Sequence, residues 1–470
     1  MRRNCITLFF LAVAVLSETN LLAQKTFSIS VKQAVDVAFE NVVSLKNAQL
    51  DYKIADARNK EITGLLLPQV SSVVQGNHYL SLPLIQMPDI TEAAVYRVLG
   101  REGVRNGAGI PVNPDDAEFK VNSFSFLAPW NVNGGIGVQQ LLFEPQVFVG
   151  LQARTALLES SSISIKIEED KIREAVYKSY YSVLIAQKQL NYLTESRMRL
   201  EKLAADMGVL FKNGFVEKLD IDKTTVSLNN IRTTENQIKN GIKIGYALLK
   251  QTLGLTQIDS LVLTDVLSTE SIKDGVLEEN FSYENRNEIK FLNKVVELQG
   301  LDVRRYRLSY GPTIAAFYNF QRTGQRNERY QTITGKPWFW YNTGLAGVSI
   351  SIPIFDGLQK KYKIKQAQYT QEKTLNLLTA VKNGIDLEKI VAKNTVLNSI
   401  LAMDVQEKNM QLAEKVYHTV KKKYEQGIGS SFEVLQADTE MQQAQSNYFK
   451  AMYDAIIAKV NYLKAQGQLN

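Results

Sequence analysis

Cysteine is nearly absent from this 470-residue chain, occurring once, at Cys5. A single thiol excludes a disulfide framework and a cysteine-based metal site. Histidine is almost as scarce, with His78 and His418 far apart in sequence, so no zinc-ligand spacing exists and no cofactor or metal is expected. After the first residues there is no run of about 18 apolar residues, which excludes helices that cross a bilayer. Charge of one sign is also in short supply. A net charge of +7 is small for this length, and the lysines are dispersed among acids, as from Lys166 to Arg173. That pattern describes solvated helix faces and no nucleic-acid partner. Neither a nucleophile elbow nor a phosphate loop is present; Gly427-Ile428-Gly429 lacks the Lys-Ser/Thr of a P-loop, so no enzyme is expected.

Proline is confined rather than absent. All ten prolines fall between Pro68 and Pro145 or between Pro312 and Pro353. Proline cannot donate to a helix ladder and clashes with the preceding turn, so about two thirds of the chain is left free to be long helix. From Gln359 to Gln426 there is one glycine, Gly384, and at ~1.5 Å per residue this rod reaches roughly 100 Å. A turn at Gly427 to Gly429 follows. Phe432, Leu435, Thr439, Gln442, Ser446, Phe449, Met452, Ile456, Val460 and Leu463 then recur at steps of three and four, marking the seam of a return helix. A matching rod, Gln146 to Lys212, is turned at Gly214 and returns as Glu217 to Leu253.

The order of segments is a signal peptide (1–23), a first short helix (24–68), a first strand pair carrying a long extracellular loop (69–143) and a first helical hairpin (144–254). An equatorial connector (255–282), a second short helix (283–311), a second strand pair (312–352) and a second hairpin with the C-terminus (353–470) complete it. The leader is read from Arg2 and Arg3, the apolar run Ile6 to Leu16, and Ala23 before Gln24. Cys5 precedes that run and is not a lipid-bearing position. Ser30 and Gln33 have capping-box spacing at the start of the first helix, whose apolar pattern carries on to Leu67 and is stopped by Pro68.

Each strand has two dissimilar faces. Val70, Ser72, Val74 and Gly76 oppose Ser71, Val73, Gln75 and Asn77; Ile136, Val138 and Leu142 oppose Gly135, Gly137 and Gln139. Ile314, Ala316, Tyr318 and Phe320 oppose Thr313, Ala315, Phe317 and Asn319, while Val348, Ile350 and Ile352 oppose Gly347, Ser349 and Ser351. The sequence of helix, strand, loop, strand, rod, turn and helix occurs twice, an internal duplication. Identity between the copies is low: Leu200–Gly254 set on Ala413–Gly467 shares only five residues, Glu201, Lys202, Gly214, Ile244 and Gly254.

Four strands cannot close a membrane barrel, because an open edge in lipid leaves amides unpaired. The chain must associate, and three chains of four strands make twelve, enough for a water-filled, porin-like channel. Trp130, Trp338 and Trp340 lie at strand ends, where an aromatic girdle belongs.

The junctions Phe143-Glu144-Pro145 and Pro353-Ile354-Phe355-Asp356-Gly357, the helix stops Leu66-Leu67-Pro68 and Tyr310-Gly311-Pro312, and the turn Tyr424-Glu425-Gln426-Gly427 with Glu433-Val434-Leu435-Gln436-Ala437 resemble the TolC family of outer-membrane efflux and secretion channels. The likeness spans the mature chain. It implies a fold that is mainly α with a small antiparallel β part: a homotrimer with a shared β-barrel in the outer membrane and a long α-helical barrel in the periplasm. It implies the exit duct of a tripartite efflux pump or type I secretion system, passing small molecules or proteins. The periplasmic tip turns at Phe211, Gly214, Tyr424 and Gly427 would dock a periplasmic adaptor (membrane fusion) protein and, with it, an inner-membrane transporter. Gln436 stands where many members carry a second acid, and the loop Ser81 to Asn131 is long for the family. The alternative is a structural periplasmic or surface coiled-coil protein, which accounts for the rods but not for the strands beside prolines and tryptophans. A periplasmic adaptor is a third reading, disfavoured because such proteins carry one hairpin and several β-rich domains.

Gly214 and Gly427 each end a rod, where positive φ is needed; capping alone and docking are both open readings. By resemblance the channel narrows near the tips, and Asp220 and Glu433 occupy matching places there as candidate constriction residues. In a trimer each makes a ring of like charges. The competing reading is helix capping, since Ser430 and Glu433 have Ser-x-x-Glu spacing and any acid in a first turn is favoured by the helix dipole.

Overall fold

The computed structural model describes residues 26–88, 90–117, 121–125, 127–275, 281–326, 335 and 338–469. The leader with Cys5, and most of the polar loop before Trp338, lie outside the described residues. Contacts divide the chain into two units: residues up to Ala57 with Arg154–Gly300 and from Gln368 onward, and Arg58–Ala153 with Leu301–Ala367.

The second unit is organised by a four-stranded antiparallel sheet of β2 (Gln69–His78), β5 (Trp130–Phe143), β7 (Thr313–Arg326) and β8 (Phe339–Ser351), in the order β2-β5-β7-β8. The register sets Val70 opposite Val138, Val138 opposite Tyr318 and Tyr318 opposite Ala346. Side chains alternate along a strand, so this one alignment puts all four apolar sets on one face and the Gln, Asn, Ser and Thr set on the other. One position departs from the expected alternation. Leu142 was assigned to the face of Ile136 and Val138, but a bulge between Leu141 and Phe143 sets Phe143 opposite Ile314 and leaves Leu142 unpaired.

The loop that follows β2 was expected to be irregular. Its described part instead contains β3 (Ile85–Pro88) paired with β4 (Val121–Phe124), and between them α3 (Ile90–Arg101). Most prolines and glycines between Ser81 and Asn131 lie outside these elements, so composition averaged over the whole stretch conceals them.

The first unit is helical. Its rods are α4 (Pro145–Lys212, 68 residues) and α8 (Gln359–Glu425, 67 residues), each entered from the sheet unit. The return helices are α5 (Lys218–Thr252) and α9 (Ser431–Gln466). On α4 the residues Ile172, Val176, Tyr180, Val183, Ser196, Leu200, Leu203 and Met207 are buried, recurring mainly at steps of three and four. At about 1.5–3 kcal/mol for each large apolar side chain removed from water, such seams supply most of what holds the rods together.

The first short helix is not continuous. It divides into α1 (Val31–Asn41) and α2 (Val43–Gly64) at Val42, whose φ of −68° and ψ of 126° are extended. A strand, β1 (Thr26–Ile29), precedes it and pairs in parallel with β6 (Ser260–Leu263) of the connector. A short α6 (Thr269–Lys273) and α7 (Asn287–Leu308) complete the elements.

The strands β1 and β6 form a knot around Tyr180. Its hydroxyl donates to the Ile29 carbonyl at 3.0 Å and accepts from the Asp265 amide at 3.3 Å. Burial, with the nearby Asp265 charge, pushes this phenol up to about 12. Asp265 Oδ2 in turn accepts the Val31 amide at 2.8 Å, while Ser30 and Gln33 form the expected reciprocal capping box. The first free amides of α1 are thus satisfied from two directions.

Candidate channel wall and hairpin tips

In the sheet unit, β2 is exposed along its whole length and β8 nearly so, and among the described residues neither outer edge is paired with another strand. An apolar face of Val70, Val74, Ile136, Tyr318, Val348 and Ile350 left open to water is a surface built for another environment. The opposite face carries Gln75, Asn133, Asn319, Gln321 and Thr343 and is uncharged. Its side chains surround a shallow cleft of about 210 Å³ over Gly135 and Gly137. An apolar exterior, an uncharged polar interior and two open edges are the ingredients of one segment of a water-filled barrel.

The tryptophans gather at the strand ends where His78 and Trp130 pair. Trp130 stacks on His78 with ring centroids 3.9 Å apart, and Trp338 stacks on Trp340 at 6.0 Å. Trp340 lies over Gly324, where a β-carbon would come within 2.7 Å of the ring, and Arg322 is 5.3 Å above it. By register Trp130 and Trp340 share the apolar face.

In the helical unit, the two rods end in the same way. The Gly214 amide donates to the Phe211 carbonyl and the Phe215 amide to that of Leu210, each at 2.9 Å. Gly427 donates to Tyr424 and Ile428 to Lys423, also at 2.9 Å. These are Schellman motifs, with φ of +80° at Gly214 and +73° at Gly427, a conformation that glycine adopts without steric cost. The residues just beyond are apolar yet open to water: Phe215 is 76% exposed and Ile428 77%.

Asp220 and Glu433 sit in the first turns of α5 and α9. The Ser430 hydroxyl accepts the Glu433 amide at 3.2 Å, but the return bond from the Glu433 side chain is not made, so the box is half formed. Glu217, the N-cap of α5, makes no side-chain cap bond at all. The charge of Asp220 acts on a second tip residue. Tyr424, whose hydroxyl meets Met207 Sδ at 3.3 Å, has its phenol pushed up by burial and by the charges of Asp206 and Asp220. Sequence reasoning had no means of joining these two, since they are on different hairpins.

The seam expected on α9 holds from Phe449 to Val460, and Leu463 is half-buried. Nearer the tip the buried residues are Val434, Ala437, Asp438, Met441 and Gln445, whereas Phe432 and Thr439 are exposed. The displaced set, Leu435 and Gln442 with Phe432 and Thr439, lines an open groove of about 600 Å³ with Leu219 and Val226 of α5. Residues spaced by three and four on a helix flanked by two others define more than one stripe, and only packing selects the filled one.

That packing exposes a residue overlooked in the sequence. Asp438 is 1% exposed and accepts from Ser196 Oγ at 2.9 Å, from Arg199 Nε at 3.2 Å and from Gln442. The Arg199 guanidinium also lies 5.3 Å over the Tyr417 ring. The available signal was an acid at position i+4 from Val434, in step with Met441. On the other side of α4, Arg197 bridges Glu201 and Glu235, each at 2.7 Å, with Arg232 on Glu201 and Lys239 on Glu235.

Residues 284–468 match the family described as outer membrane efflux protein. With the open-edged sheet and paired hairpins, that match decides the matter. This chain is a TolC-like outer-membrane efflux protein. It is 20% identical over 349 residues to the outer membrane protein TolC of Vibrio cholerae, an overlap covering 72% of this chain and 77% of that one. Its fold is similar to that of CusC, with a TM-score of 0.70, 14% identity and coverage of 94% of this chain and 93% of the other. The outer membrane channel CmeC of Campylobacter jejuni has a TM-score of 0.68 at 15% identity, covering 93% and 85%. The TolC-like chain is the exit duct of an efflux system and belongs to a family of channel proteins. It resides in the outer membrane with its helical part in the periplasm. TolC-like channels of this fold are trimeric components of tripartite pumps, with four strands from each chain in one barrel.

Proposed function

We propose that the two hairpin tips of this duct dock a periplasmic adaptor protein, which links it to an inner-membrane transporter. The observation that carries the reading is the apolar surface presented there. Phe211, Phe215, Leu219, Ile428 and Phe432 are all exposed, and the groove between α5 and α9 carries Leu219, Val226, Phe432 and Leu435 among polar side chains. Exposed apolar patches rimmed by charge mark protein interaction sites. Gly214 and Gly427 set the turns, and Phe211 and Tyr424 contribute their carbonyls to them.

In the same reading Asp220 and Glu433 form the charged constriction, and Trp130, Trp338 and Trp340 form the aromatic girdle at the membrane boundary. Cargo choice rests with the transporter, because an uncharged polar wall accepts small molecules and unfolded protein segments alike.

The test compares Gly427→Trp with Gly427→Asn. Asparagine tolerates the left-handed region, so the first variant adds bulk to the tip and the second tests the turn alone. Trimers recovered from both, with export lost only in Gly427→Trp, are expected. Export retained by Gly427→Trp, or trimers lost together with export, would overturn docking at this tip.

A further inference from the structure

The junction from β8 into α8 combines features that neither the barrel nor the tunnel requires. Val348, Ile350 and Ile352 follow one another on the apolar face, and the chain beyond Pro353 extends that surface with Ile354, 96% exposed, and Phe355, 80% exposed. Two successive residues are then left-handed, Gly357 at φ +65° and Leu358 at φ +67°. A leucine in this region costs about 1–2 kcal/mol. This one is also exposed, so burial offers it no compensation.

Asp356 Oδ2 accepts the Lys360 amide at 2.9 Å and starts α8. Its first turn contains no acid. Lys361, Lys363 and Lys365 are exposed and make no ion pair among the described residues. Cations in the first turn of a helix oppose its dipole, so Lys361 is placed against the interest of the helix. Lys361 and Lys365, four residues apart, share one face of α8, while Lys363 points elsewhere. Arg304 and Arg307 on α7 add exposed positive charge in the same unit.

A solvated helix face explains scattered lysines, but not a nearly fully exposed Ile-Phe pair immediately before them. Apolar side chains followed within about 10 Å along the axis by cations match the boundary between acyl chains and anionic headgroups. We propose that the β8–α8 junction is an interfacial anchor for anionic phospholipid in the periplasmic leaflet of the outer membrane. Ile352, Ile354 and Phe355 enter the acyl region, and Lys361 and Lys365 hold the headgroup phosphates. The inference rests on the outer-membrane location and is independent of adaptor docking at the tips.

The experiment uses the full-length trimer in mild detergent, offered equal amounts of phosphatidylglycerol and phosphatidylcholine, with bound lipids counted by native mass spectrometry. Wild type is expected to retain phosphatidylglycerol preferentially, and less of it as salt rises. Lys361→Gln/Lys365→Gln should lose about thirtyfold of that retention, the strength of two juxtamembrane cations. Lys363→Gln, on the other face, should retain it. Equal retention of the two lipids by wild type would overturn the proposal, as would undiminished preference in the double variant. Loss of export by a double variant that keeps its lipid preference would overturn it too, by assigning the patch to a protein partner.

Discussion

Gly467 faces the backbone of Asn285 so closely that a β-carbon placed on it would lie 3.0 Å from the Asn285 carbonyl oxygen. Gly254 stands in the same relation to Asn41, at 2.9 Å. Each asparagine is followed by one residue and then by a 22-residue helix, α2 or α7. The return helices therefore end against the start of the short helices, which is how the duplicated plan splices two pieces into one pillar. In the second copy Arg286 reinforces the joint by donating to the Lys464 and Ala465 carbonyls at 3.3 and 3.1 Å, where a cation complements the end of α9.

Alanine at Gly467 or Gly254 combines a left-handed backbone with overlap and is expected to destabilise the protein by ~2 kcal/mol. Gly384, inside α8 with nothing within 4 Å of its β-carbon site, should respond oppositely and gain ~0.5–1 kcal/mol as alanine. Thermal unfolding of the three trimers decides this; a Gly467→Ala midpoint equal to wild type would show that the joint is loose.

Asp438→Ala leaves Arg199 without its carboxylate. One terminal nitrogen of Arg199 is already buried without a hydrogen-bond partner among the described residues, so little else compensates. A loss of about 3 kcal/mol is expected, at the lower end for a broken buried pair because Arg199 keeps some solvent contact. Asp438→Leu with Arg199→Met should recover part of it in denaturant unfolding, whereas additive losses would mean that the two residues do not act as a pair.

The α4–α5 network sets an acid limit. Lys239 and Arg197 hold the Glu235 carboxyl below the usual range, and Arg232 and Arg197 do the same for Glu201. A carboxyl whose folded pKa is depressed stabilises fully above its unfolded value of about 4.3 and stops doing so as pH falls through the lower folded value. Circular dichroism should show a decline in stability beginning near pH 4–5, with a shallower slope in Glu235→Gln. An unchanged slope would place the acid sensitivity elsewhere.

If Asp220 and Glu433 make rings at the constriction, Asp220→Asn and Glu433→Gln trimers should show a smaller cation preference in planar bilayers. Because Ser430 caps α9 without help from the Glu433 side chain, Glu433→Gln should leave the stability within about 0.5 kcal/mol of wild type, while Ser430→Ala costs ~1 kcal/mol. A lowered melting point with unaltered selectivity would return Glu433 to the capping role.

Sequence alone determined the rods, their turns and the four long strands with their order, because proline exclusion, alternation of side chains and three-four periodicity are properties of neighbouring residues, while the short elements β1, β3, α3, β4 and β6 and the break at Val42 escaped it. The confined prolines marked where the rods begin, Gly214 and Gly427 marked where they turn, and each strand displayed its two faces. Tertiary structure decided what those faces meet. The pairing of β5 with β7 joins residues far apart in the chain, and a shift of one residue would have mixed the polar and apolar sets. The same holds for Asp438 beside Arg199 and for the stripe of α9 that is filled rather than left as a groove. Each depends on which helices lie on either side, and local periodicity is equally satisfied by a neighbouring stripe, so only the packed arrangement distinguishes them.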